Sequence, residues 1–104
     1  MDLETIAVNI IANAGESKSF SLSSVDMAKS GNIATAKELL KQANDALIIA
    51  HKEHTSILVN EANHGKLELS FLAVHASNHL SIADISYELA TRMVEMYELF
   101  LKKS

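Results

Sequence analysis

The chain has 104 residues, a formal charge of −4 and no cysteine or proline. Those features exclude disulfides, thiolate metal sites and a cysteine nucleophile, and they fit a reducing cytoplasm. Phosphate binding needs a basic stripe, so nucleic acid is not an expected partner. Although 48% of the residues are hydrophobic, no apolar run reaches the roughly 20 residues that span a bilayer. An acidic start, Met1-Asp2-Leu3-Glu4, is the wrong sign for a signal peptide. With three glycines and no proline, few turn formers are present and long helices are favoured over β-structure. One domain over residues 1–104 is the expectation.

Leu3, Ile6, Ala7, Ile10, Ile11 and Ala14 recur at helical spacing behind Asp2 and Glu4, which suit the dipole of a helix N-terminus. Gly15 marks a bend or a close backbone approach, because glycine costs a helix about 0.5–1 kcal/mol against alanine. The serine-rich run Glu16 to Ser24 admits a loop. A continued helix is the better reading, since Phe20, Val25 and Ala28 keep workable spacing and no turn dipeptide intervenes. Ser30-Gly31-Asn32 forms a boundary, with Gly31 able to turn left-handed and Asn32 able to cap the next helix. Ala36, Leu40, Ala43, Leu47, Ala50, His54 and Ile57 then give a long helix whose alanines let axes approach closely. Asn63 to Lys66 reads as the second turn, Glu68 as an acid in the next helix's first turn, and Lys102 and Lys103 as its basic end. Helices over about 2–29, 33–62 and 67–102 follow, in an all-α, antiparallel up-down-up three-helix bundle.

The third helix carries two apolar seams. One runs Leu72, His75, His79, Ile82, Ser86, Leu89, Met93, Met96, Phe100; the other runs Leu69, Ala73, Ala76, Leu80, Ala83, Tyr87, Ala90, Val94, Tyr97, Leu101. A helix packed on one neighbour needs one seam, so two imply partners on more than one side. His75 and His79 lie one turn apart on the first seam, where each ring must reach solvent or a hydrogen-bond partner. Satisfied core histidines are the plainest explanation. Two chemical uses compete with it. The pair could ligate a divalent metal, with His51 or His54 and Glu53 or Glu61 as further ligands. Against that, Ala76 stands where a metalloprotease needs glutamate, and Glu61-x-x-His64 is a single copy of a di-iron motif that needs two. Alternatively, an imidazole with a pKa of about 6.5 keeps a free lone pair near neutrality and can accept a phosphoryl group, steadied by its neighbour. His64 reads as solvated, and Tyr87, Met93, Met96 and Tyr97 as core or subunit interface.

Several pieces, in order and without insertion, resemble the IIA components of the lactose/cellobiose (N,N'-diacetylchitobiose) group of the sugar phosphotransferase system. They are Ala14-Gly15-Glu16 with Ser19, Ala28 through Gly31-Asn32-Ile33 and Ala36, Ala50-His51 with Thr55, Glu61-Ala62, and Val74-His75-Ala76-x-x-His79-Leu80 with Tyr97. The resemblance spans Ile6 to Tyr97. It implies a subunit that assembles as a nine-helix homotrimer. It also implies that His75 accepts a phosphoryl group from the histidine phosphocarrier protein HPr and passes it to a cysteine of a cognate IIB component, with His79 in support. No cofactor is required for the transfer. In this reading the chain is a cytoplasmic transferase component that inserts in no membrane, serving uptake of a β-linked disaccharide. Sugar choice belongs to the membrane component.

Three positions depart from the family pattern. Ser77 and Asn78 replace the glutamine and aspartate of His-Ala-Gln-Asp-His, and His54 replaces a glutamine. The family aspartates meet on the threefold axis and hold a metal ion. Asn78 there is a neutral amide, a poorer ligand that argues against a metal but avoids charge repulsion. Ser77 is shorter than glutamine and weakens contacts to the phosphoryl group or to partners. His54 adds an imidazole near the cleft, and His51 has a packing or a catalytic role. Two rivals stay open: a non-catalytic regulatory or scaffold protein, and a metal-binding helical bundle.

Overall fold

A computed structural model of the chain describes residues 2–64 and 70–103. Three α-helices follow in order: α1 (Leu3–Lys29), α2 (Ile33–His64) and α3 (Phe71–Lys103). They form a rod of 58 × 18 × 18 Å. Asp2 caps α1, its Oδ1 accepting the Thr5 N–H at 2.8 Å. That bond holds the Asp2 carboxyl below its usual pKa.

The serine-rich stretch is helical throughout. Ser17, Ser21 and Ser24 are buried and continue the inner face of Ala7, Ile10 and Ala14 toward Ala28. Small side chains at these positions let the helices approach; the Ser17 and Ser24 hydroxyls find carbonyl acceptors, whereas the buried Ser21 hydroxyl meets no partner among the described residues. Ser17 donates to the Ala43 carbonyl at 2.8 Å and Ser24 to that of Ser21 at 2.6 Å. The expectation for Gly15 is only half tested: a Cβ built there meets nothing within 4 Å, so no close approach within the chain explains the glycine.

The first turn closes as the composition suggests. Gly31 has φ of 91°, and α1 ends with Gly31 N–H on the Ala28 carbonyl and Asn32 N–H on that of Met27 at 2.8 Å. The second turn differs from expectation. Asn63 and His64 still belong to α2, two residues past the expected end. Residues 65–69, including Glu68 and Leu69, lie outside the described region. α3 begins at Phe71 instead of 67, because Ser70 caps it: the Ser70 hydroxyl accepts the Ala73 N–H at 3.0 Å, and its carbonyl accepts that of Val74. The first turn of α3 therefore carries no acid, while Lys102 and Lys103 do occupy its last.

Two apolar clusters hold the bundle. Ala7, Ile10, Ala14, Leu47, Ala50, Ala76, Leu80 and Ala83 form one; Ala28, Ala36, Leu40, Ala90 and Val94 form the other. Helix α1 packs extensively on both partners, whereas α2 and α3 touch each other much less. Across that thin junction run three polar ties: Lys37–Glu98 at 2.7 Å, His51–Asp84 at 2.7 Å and His54–Ser77 at 3.0 Å. The Lys37 ammonium holds the Glu98 carboxyl below its usual pKa.

The two seams of α3 differ in how far they are covered. Ala76, Leu80, Ala83, Ala90 and Val94 are buried, while Ile82, Leu89, Met93, Met96 and Phe100 of the first seam stand exposed. Among the described residues no helix is long and apolar enough to cross a membrane.

Candidate functional site

The first two turns of α3 build the site. Capping by Ser70 sets the helical register from Phe71, and the four-residue spacing then stacks Phe71, His75 and His79 along one face. His75 is exposed and His79 half-buried. Their Nε2 atoms lie 3.1 Å apart, with ring centroids separated by 4.5 Å and planes at 86°. At that distance one ring donates its N–H to the lone pair of the other. Phe71 lies against His75 from the preceding turn, centroids 6.1 Å apart and planes within 9° of parallel. The arrangement is an exposed imidazole with a second imidazole hydrogen-bonded to its Nε2.

The second-helix histidines do not join this pair. His51 Nε2 meets Asp84 Oδ1, and His54 Nε2 meets Ser77 Oγ, so both serve the α2–α3 junction. The His54 contact places its imidazole beside Ser77, two residues from His75. It also supplies Ser77 with a partner other than a phosphoryl group. Two of the three positions that depart from the family pattern thus meet in one hydrogen bond. Among the described residues no three or more His, Asp or Glu side chains converge on a point that could hold a metal ion. Asn78 is exposed beside the histidine pair, and its neutral amide is a poorer metal ligand than a carboxylate.

Asp84 and Phe71 escape a reading of the sequence alone. Asp84 lies 33 residues from His51, and only the antiparallel register of α2 on α3 reveals the pairing. Phe71 did carry a signal: it stands four residues before His75 and belongs to neither apolar seam.

Comparison with known proteins fits this geometry. The family described as the lactose/cellobiose-specific IIA subunit of the PTS system matches residues 5–98. The N,N'-diacetylchitobiose-specific EIIA component of Escherichia coli K12 is 33% identical over 97 residues, covering 93% of this chain and 84% of that protein. The crystal structure of the cellobiose-specific enzyme IIA from Bacillus anthracis superimposes with a TM-score of 0.92 at 32% identity, covering 100% of this chain and 96% of that one. A IIA(chitobiose) from Escherichia coli, solved in complex with HPr, gives 0.85 at 32% identity, covering 96% and 97%. Matched along nearly its whole length in sequence and in fold, the chain belongs to the lactose/cellobiose-specific IIA family of the sugar phosphotransferase system.

Proposed function

We propose that this IIA component is a cytoplasmic phosphocarrier in which His75 accepts the phosphoryl group, His79 supports it, and a homotrimer is the working form. The observation that carries the assignment is the 3.1 Å contact between His75 Nε2 and His79 Nε2 on an exposed helix face. In the tautomer with the His75 proton on Nδ1, the Nε2 lone pair accepts the His79 N–H, which gives way when phosphorus approaches. Attack by that lone pair on phosphorus forms a P–N bond at His75. The P–N bond of the donor phosphohistidine breaks, and its electron pair returns to the donor imidazole. The His79 N–H, displaced from Nε2, then donates to a phosphoryl oxygen. Such transfer needs positioning and charge stabilisation more than further machinery. A relative solved with HPr makes HPr the natural donor. A cysteine thiolate of a cognate IIB component is the acceptor in turn, P–N breaking as P–S forms.

The exposed face of α3 supports the trimer. Asn78, Ile82, Ile85 and Leu89 stand exposed at three- and four-residue spacing, with Met96 and Leu99 exposed two turns further on, the pattern of a helix that meets its copies. Three Asn78 amides meeting on the axis would hydrogen-bond one another without a metal, so such a trimer resists EDTA. Dissociation by chelator, seen in light scattering, would contradict that.

The acceptor is tested by replacement. His75→Ala should keep the helical circular dichroism of the parent and lose all phosphoryl transfer from phosphorylated HPr; transfer that survives overturns the assignment. The sugar is a β-linked disaccharide on the same reading, its identity set by the membrane component.

A further inference from the structure

Phe71 stands out among the exposed apolar residues. It is 88% exposed and is not among the residues packed on either apolar cluster. A large ring held almost wholly in water gains nothing from burial, so its position calls for another reason. Among the described residues its ring contact is His75, near-parallel at 9° and 6.1 Å between centroids. That separation falls within the range of offset aromatic stacking.

The local backbone enforces the contact. Ser70 caps α3 through the Ala73 and Val74 amides, which makes Phe71 the first helical residue and places its side chain one turn below His75. His75 is thereby held from two directions. Phe71 lies along a face of the imidazole, and His79 meets its Nε2 with a ring turned by 86°. An exposed histidine carries two rotatable bonds and would otherwise sample several orientations of Nε2. The stack limits rotation of the ring plane, while the His79 contact selects the nitrogen.

We propose that Phe71 is a positioning residue for phosphoryl transfer, holding the His75 imidazole so that Nε2 is aimed for in-line attack. The role rests on His75 being the acceptor. Because Phe71 acts on the orientation of the nucleophile, its loss lowers kcat and leaves KM for phosphorylated HPr unchanged. A ring that anchored HPr instead would show the reverse.

The test compares Phe71→Leu, Phe71→Tyr and His75→Ala with the parent chain. Leucine keeps the apolar bulk and favours the helix, but has no flat face; tyrosine restores one. In proton NMR the ring signals of His75, identified by their disappearance in His75→Ala, should move downfield in Phe71→Leu as the ring current is lost, and return in Phe71→Tyr. Transfer from phosphorylated HPr should show kcat lower by about three- to tenfold in Phe71→Leu at unchanged KM, with recovery in Phe71→Tyr. His75 signals that do not move, or a raised KM at full kcat, overturn the proposal. His75→Ala separates the two ways of failing. Transfer surviving in it removes His75 as acceptor and the positioning role with it, whereas transfer lost in it but undiminished in Phe71→Leu removes the positioning role alone.

Discussion

The two seams of α3 have the same apolar character and opposite fates. Ala76, Leu80, Ala83, Ala90 and Val94 are closed against α1 and α2, whereas Ile82, Leu89, Met96 and Phe100 face outward from the single chain. The covered seam is built from small residues that let three helices close to an 18 Å cross-section. The open seam is built from large ones, which a chain of this size leaves in water only when another surface covers them. His75 and Phe71 lie on the open side and Ala76 on the closed one, so the His75 ring is carried by a packed helix yet remains accessible. Stability belongs to one face of the helix; on the proposed reading, assembly and chemistry belong to the other.

Replacements on the two faces should therefore fail in different ways. Leu80→Ala, on the closed face, should cost about 2–5 kcal/mol in denaturant unfolding. Ile82→Asp, on the open face, should leave the helical content of the single chain intact and abolish self-association in sedimentation. Equal loss of fold from both would erase the distinction. His79→Ala should slow transfer by about ten- to a hundredfold, the worth of a hydrogen bond to a charged group, while leaving the unfolding midpoint unchanged.

The α2–α3 ties sharpen the contrast, because they contain histidines that serve structure. A double-mutant cycle on His54→Ala and Ser77→Ala should give a coupling of about 0.5–1.5 kcal/mol in unfolding. Transfer by His54→Ala should stay within about twofold of the parent, and a large loss would return His54 to the reactive site.

How much of this was legible in advance depended on the range of the interaction. Three helices, the Gly31 stop and the His75–His79 pair follow from spacings of three and four residues, and the structure has them. The same periodicity counted two seams on α3 but could not say which was covered, since that depends on where α1 and α2 lie. The stripe of Ser17, Ser21 and Ser24 is polar in sequence yet interior, because small size is needed there; Ser17 and Ser24 find backbone acceptors, while the Ser21 hydroxyl is buried without one. The start of α3 was misplaced because Ser70, the cap, was read as a helical residue. Gly15, whose missing Cβ leaves open space, has no explanation within the single chain. Gly15→Ala should accordingly raise the stability of the dissociated chain by about 0.5–1 kcal/mol.

The smallest expected effect lies at the N-terminus of α1. The Thr5 N–H lowers the pKa of Asp2 in the folded chain, so the contribution of this cap is complete above the ordinary carboxylate range. It is lost as pH falls through the lowered folded value. Amide exchange in the first turn of α1 should quicken on that acid descent, and Asp2→Asn, which keeps an uncharged acceptor, should remove the pH dependence.

Intact mass after incubation with phosphoenolpyruvate, enzyme I and HPr is the most direct test of His75 as the acceptor. The parent should gain one phosphoryl group and His75→Ala none, with both chains equally helical. A phosphoryl group on His75→Ala, or none on the parent with its assembly intact, would contradict it.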